Sequence, residues 1–219
     1  MSLPPLSLLE TRILGVLSEK EHTVPDTYPL TLNALVAGCN QKTSRDPVLD
    51  ASEDEVQAAI DHLKMLSLVV ESSGGRVMRY AHNTGRVLGV PAQAVALLTV
   101  IMLRGPQTAG ELRIHSDRLH RFSDISAVEG FLDEMRSRTA GALVVELPRQ
   151  PGARETRWAQ LLSGSPAIPD ESSAAPAVDR VAVGELAALR GSVAHLQDEV
   201  AQLRTMIERL NKELGLPPA

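Results

Sequence analysis

The chain has 219 residues, 43% of them hydrophobic, and a formal net charge of −5. That length suits one large domain or two small ones, and the acidic balance counts against avid, nonspecific nucleic-acid binding while leaving room for a local basic patch. Tyr28, Tyr80, Phe122, Phe131 and Trp158 are its only aromatics, too few for a base-stacking surface, so single-stranded nucleic acid is not the expected ligand.

The single cysteine, Cys39, has no internal disulfide partner, which fits a reducing compartment. The start, MSLPPLSLLE, lacks the basic and apolar regions of a secretory signal. The longest apolar run, Ala94 to Leu103, is half of the ~20 residues a membrane span needs. The expectation is a soluble cytoplasmic protein with no membrane association. Charge is uneven: residues 1–89 carry 8 basic and 11 acidic side chains, residues 90–165 carry 9 and 8, and the remainder 5 and 8.

Taken in order, Ser7 to Lys20 predicts an amphipathic helix with Leu9, Ile13, Val16 and Leu17 inward. Val24 to Pro29 reads as a loop, its two prolines opposing helix. Thr31 to Cys39 predicts a second helix, followed by the polar stretch Asn40 to Pro47. Ser52 to Glu55 is a capping box opening a third helix, with Val56, Ile60 and Leu63 on one stripe. The period then switches to two: Leu68 to Glu71 is a strand, Ser72 to Gly75 a turn, and Arg76 to His82 a return strand.

The same order recurs. Ala92 to Leu103 is nearly all apolar and predicts a buried helix. Thr108 caps the next helix, Ala109 to Leu119, which would place Arg113 and Arg121 near one another on one face. A third helix begins at Ser123, Asp124 or Ser126, with Val128, Leu132 and Met135 inward. A strand, Leu143 to Leu147, leads through the turn Pro148 to Arg154 into a return strand. The two return strands align residue by residue, Arg76-Val-Met-Arg-Tyr-Ala-His82 with Arg154-Glu-Thr-Arg-Trp-Ala-Gln160.

This pattern predicts a mainly α fold with small β-hairpins, an α+β class built from tandem winged-helix units. Residues 1–89 are the first unit and 90–162 the second. Residues 163–180, rich in Ser, Pro and Ala, predict a disordered linker. Residues 181–216 predict a parallel coiled-coil dimerisation helix. There Leu186, Val193, Val200, Ile207 and Leu214 occupy a, and Leu189, Leu196, Leu203 and Leu210 occupy d. Mostly β-branched residues at a with Leu at d favour a parallel two-stranded homodimer.

The stretches Thr27-Tyr-Pro-Leu30, Cys39 to Val48, Leu103-Arg-Gly-Pro-Gln-Thr108, Gly110-Glu-Leu-Arg113, Phe122-Ser-Asp124 and Pro151 to Arg157 resemble the YceH family of bacterial proteins. The resemblance implies a tandem winged-helix fold in a cytoplasmic protein and brings no catalytic residue with it. His115 departs from the pattern, standing where a second arginine after Arg113 is expected.

Two functions are consistent with these residues. The leading one is double-stranded DNA binding by a dimeric, regulatory winged-helix protein. Its contacts would be Lys42 and Arg45 in the Asn40–Asp46 loop, Arg76 and Arg79 in the first hairpin, Arg113, Arg118 and Arg121, and Arg149, Arg154 and Arg157 of the second hairpin. Such cations suit phosphates, and a wing arginine suits a narrow minor groove. The loop groups are as readily read as local hydrogen-bonding and capping groups. The third helices oppose groove insertion, because Glu53, Asp54, Asp61, Glu129 and Asp133 face outward and carboxylates repel phosphates. That favours the alternative, a scaffold whose winged helices dock a protein partner. No enzyme is expected. The six histidines are scattered, His115 and His120 lack the zinc-pair spacing, Cys39 reads as a buried apolar residue, and no glycine loop cradles phosphate. No cofactor or metal is called for.

Overall fold

The computed structural model describes residues 3–72, 77–150 and 152–166. The coiled-coil segment and most of the linker therefore lie outside the described residues, as do the nine seam positions and Arg76. The described fold is mixed, with seven α-helices and two small antiparallel sheets.

Helix α1 (Leu8–Thr23) is opened by a capping box between Ser7 and Glu10. Such a cap satisfies two of the four orphan amide donors and is worth about 1 kcal/mol. A short 3-10 turn, Pro25–Thr27, occupies the loop where the prolines were expected to exclude helix. Pro25 sits at its first position, where a missing N–H costs nothing. Strand β1 (Leu30–Thr31) leads into α2 (Leu32–Cys39), capped by Thr31. Helix α3 (Glu53–Met65) starts at the expected Ser52–Glu55 box and buries Val56, Ile60 and Leu63. Strands β2 (Val69–Ser72) and β3 (Arg79–His82) form the hairpin. In the sheet β3 is central, paired antiparallel with β1 and β2.

A helix that the sequence pattern did not suggest, α4 (Thr84–Leu88), closes this half. It ends on Gly89 at φ 63°, the left-handed cap position that glycine adopts without strain. The order then repeats with α5 (Ala92–Arg104), α6 (Ala109–His115), α7 (Ile125–Arg136), β4 (Val144–Leu147) and β5 (Arg157–Gln160). Of the three candidate starts for α7, Asp124 is the cap, its carboxylate accepting from the Ala127 amide at 2.8 Å. Helix α6 stops at His115 and not at Leu119, because the next residues turn back. Ser116 Oγ donates to Arg113 O, and the amides of Leu119 and His120 both donate to Ser116 O.

The two halves agree in detail. Gln107 bridges Trp158 on β5 as Leu30 of β1 pairs with Tyr80 on β3. Glu71 lies opposite Tyr80 and Glu146 opposite Trp158. Lys64 is bonded to Asp61 and Glu71, and Arg136 to Asp133 and Glu146 in the matching places. Each half thus ties the end of its third helix to its hairpin by a cation held between two carboxylates. These are partly exposed pairs, so they specify geometry more than they stabilise.

Helix α1 departs from the expected one-sided stripe. Every residue from Glu10 to Ser18 is buried, because α2, α3 and β3 pack on one side and α5 on another. Small residues permit that approach. A Cβ on Gly15 would sit 2.8 Å from Leu103 Cδ2, and the Thr99 and Ser18 hydroxyls are hydrogen-bonded at 2.8 Å in the interface. The Leu6 amide donates to Leu162 O at 2.8 Å, so the start of the described chain is tied to its end.

Glu10 is buried on α1 and bonded to His62 on α3. Burial pushes its carboxyl pKa up, but hydrogen bonds from His62, the Ser7 amide and the Ser7 hydroxyl outweigh this and hold it below its ordinary 4.5. A depressed carboxyl stabilises the fold above its unfolded pKa and loses that contribution as pH falls through the folded one. In urea melts from neutral pH downward, Glu10→Gln is expected to flatten the loss of stability below about 4.5 relative to wild type. Parallel curves would assign the acid limb to other carboxylates.

Candidate nucleic-acid interface

The polar loop after α2 is held from within. Arg12, fully buried on α1, donates to Cys39 O at 3.2 Å and Pro47 O at 2.7 Å, bracketing the loop at both ends. Burial and the neighbouring Arg45 hold its guanidinium pKa below the usual value. Asn40 reaches across to Ala51, its amide donating to the carbonyl and accepting from the N–H, both at 2.8 Å. Cys39 is also buried, and desolvation pushes its thiol up to about 12. A thiol so placed is a poor nucleophile.

Arg45 does not face solvent. Its side chain is 0% exposed and forms a forked pair with Glu19 of α1, at 2.6 and 3.2 Å. The same guanidinium donates to Gly38 O, Ser44 O and Gln41 Oε1. A guanidinium with five donors so occupied has none left for a phosphate, which removes Arg45 from the candidate DNA contacts. Lys42 remains exposed beside it.

The hairpin arginines divide in the same way. Arg79 donates to Pro29 O at 2.8 Å and Thr27 O at 3.1 Å. Arg157 donates to Pro106 O at 3.0 Å and lies 3.4 Å from Glu111. Each therefore clamps the turn between the first and second helices of its half. These are architectural contacts repeated in both halves, and they compete with any phosphate for the same donors.

Among the described residues Lys42 and Arg86 are exposed without an ion pair in the first half, and a larger set lies in the second. Arg118, Arg149 and Arg154 are exposed and have no ion pair among the described residues. Arg121 faces Asp117 at 3.7 Å with both groups well exposed, a pair that water screens. Arg113 donates to Ser123 O at 3.3 Å. The expected shared helical face for Arg113 and Arg121 does not form, since α6 ends between them; the connection to α7 carries Arg118 and Arg121 instead. The hairpin lies near this surface, because Glu155 beside Arg154 comes within 3.9 Å of the Gly110 Cβ position on α6.

The third helices carry the opposite charge. Glu53, Asp54 and Asp61 on α3 and Glu129, Asp133 and Glu134 on α7 are exposed. Two organising residues, Arg12 and Arg104, were not singled out from the sequence; Arg104 Nη2 donates to Ser44 Oγ at 2.7 Å. For Arg12 a signal exists, as an arginine in the middle of an apolar helix must find buried acceptors.

Comparison with known proteins places this architecture in a family. The model for a protein of unknown function, DUF480, matches residues 6–153, and the chain belongs to that family. It is 58% identical over 217 residues to a UPF0502 protein of Burkholderia orbicola, covering 98% of this chain and 92% of the relative. A UPF0502 protein of Dechloromonas aromatica is 58% identical over 212 residues, covering 97% and 99%. One from Methylibium petroleiphilum is 59% identical over 215 residues, covering 96% and 91%. Among the described residues, no helix is long and apolar enough to cross a membrane.

Proposed function

We propose that the protein binds double-stranded DNA as a dimer of tandem winged-helix chains, holding the phosphate backbone through the second half of each. The winged-helix reading rests on the repeated order of three helices and a hairpin, with the short strand β1 of the first half answered by a single bridge at Gln107 in the second. The observation that carries the DNA reading is the set of exposed arginines on the α6–α7 connection and the second hairpin. Lys42 and Arg113 extend it. With acidic third helices, contact runs along phosphates and grips the backbone without major-groove readout, so affinity is expected to be weak in sequence preference and steep in salt.

Fluorescence anisotropy with random duplex DNA across a salt series tests this. Arg121→Ala with Arg154→Ala is expected to weaken binding and reduce the salt slope by about 1 for each phosphate left without its cation. Unchanged affinity and slope would remove this face. The heptad segment supplies the proposed homodimer, and truncation after Gly164 is expected to give monomers by light scattering. A truncated protein that remains dimeric would place the interface elsewhere.

A protein-docking role is the second reading. It is favoured by Met65 at the end of α3 with Val70, Val77 and Met78 on the first hairpin, all of them exposed. Exposed apolar side chains gain from burial against a partner. Absence of DNA binding even at low salt would favour this reading. Neither reading assigns a catalytic residue or cofactor.

A further inference from the structure

We propose that a cleft between α1, the loop after α2, α5 and the α6–α7 connection binds a small tetrahedral oxyanion, as free phosphate or the terminal group of a small phosphomonoester. The cleft is an open pocket of ≈ 110 Å³ lined by Glu19, Thr23, Ser44, Arg104, His115 and Arg118, with apolar walls from α5. That volume holds several waters, or one phosphate with a short ester stem, at about 30 Å³ per water.

Its charge is unbalanced. The Glu19 carboxylate is already engaged by Arg45, while Arg104 and Arg118 have no carboxylate partner among the described residues. Arg104 is half-buried and held only by Ser44 Oγ. Burial, reinforced by Arg45 and opposed by Glu19, lowers its pKa from the usual value, so its charged form gains from an added anion. The Thr23 hydroxyl is spent on Glu19 O, but two guanidinium forks and the Ser44 hydroxyl still offer more donors than the two oxygens of a carboxylate can use, which favours the three terminal oxygens of a phosphate.

His115 adds a proton-linked element. Gln107 Nε2 donates to Pro106 O, leaving Gln107 Oε1 to accept from His115 Nδ1 at 2.9 Å. Nδ1 therefore carries a proton and Nε2 is the free ring nitrogen. Burial and Arg104 hold the imidazole pKa below its usual value, against an opposing pull from Glu111; Glu19 and Arg118 share the cleft. A phosphate dianion beside this ring favours the imidazolium, so binding takes up a proton. The cleft shares Arg118 with the proposed DNA face, so its test varies Arg104 and Ser44, which that face does not use, while the DNA test varies Arg121 and Arg154.

The test titrates the full chain with inorganic phosphate at constant ionic strength, following the His115 ring resonance and confirming the fold by thermal melting. Wild type is expected to show a saturable shift. Arg104→Gln is expected to weaken binding roughly 10- to 100-fold, the loss of a charge-assisted hydrogen bond. Ser44→Ala, at an exposed position, is expected to weaken it less and serves if Arg104→Gln does not fold. Tighter binding of glycerol phosphate than of phosphate would identify an ester ligand, and equal affinity free phosphate. No saturation, or equal affinity in wild type and variants, would overturn the proposal. So would loss of duplex DNA affinity in Arg104→Gln as large as the loss for phosphate, which would make the cleft part of the DNA-backbone surface.

Discussion

Replacing Glu19 with alanine is expected to destabilise the protein by about 3 kcal/mol. The reason lies with its partner. Arg45 has a fully buried side chain, and its remaining contacts are neutral acceptors, Gly38 O, Ser44 O and Gln41 Oε1. Removing the carboxylate strands a buried cation whose desolvation is no longer offset. Breaking such a pair typically costs about 3–5 kcal/mol, and the low end applies because Glu19 is 21% exposed and water can reach the site. Removing both charges should behave differently: Glu19→Ala with Arg45→Met is expected to recover much of the loss, since neither buried charge remains. Urea midpoints for the two single variants and the double variant measure this directly. A cost below about 1 kcal/mol for Glu19→Ala would mean the pair is as screened as a surface bridge. Function follows from the same pair, because the Asn40–Asp46 loop carries Lys42 and Ser44, and Arg45 anchors that loop to α1.

What the sequence made legible was local. The capping box at Ser52 acts within one turn, and the triplets Val56, Ile60, Leu63 and Val128, Leu132, Met135 reflect helical spacing alone. The return strands could be aligned because Tyr80 and Trp158 hold the same register opposite Glu71 and Glu146. What stayed hidden depends on distant partners. Arg45 reads as a polar loop cation until Glu19, 26 residues earlier, is seen beside it. Arg79 and Arg157 read as wing cations, yet they clamp Pro29 and Pro106 at separations of 50 and 51 residues. That near-equal spacing was a usable signal: an arginine on each return strand, and a proline just before the residue that pairs with that strand, Leu30 in one half and Gln107 in the other. The one-sided view of α1 failed because periodicity reveals one apolar face but not the second packing surface that Gly15, Ser18 and Thr99 create with α5. Helix α4 is too short for a period to register. The candidate site suffered most, since a charged side chain's role is set by which carboxylate or carbonyl the fold brings to it.

Gly38→Ala is expected to cost about 1–3 kcal/mol, the usual range for overpacking a tight core. A Cβ at this position of α2 would fall 2.5 Å from Val16 Cγ1 on α1, closer than any real contact allows. The nature of the neighbour decides the sign. Valine is stiff at χ1 and cannot swing its methyl aside as a longer side chain could, so the backbones must part. Gly15 offers a contrast, because its Cβ would meet Cδ2 and Cγ of Leu103 at 2.8 and 2.9 Å, in a side chain with a further rotatable bond, and Gly15→Ala is expected to cost less. Placing Gly38→Ala in a Val16→Ala background opens the needed space. The double variant should therefore be less destabilised than the sum of the single ones, with a coupling of about 0.5–3 kcal/mol. Thermal melts of the four proteins supply the cycle. Strict additivity would mean that α1 and α2 adjust freely, and the loop that α2 delivers to the Glu19–Arg45 pair would then not be positioned by helix packing.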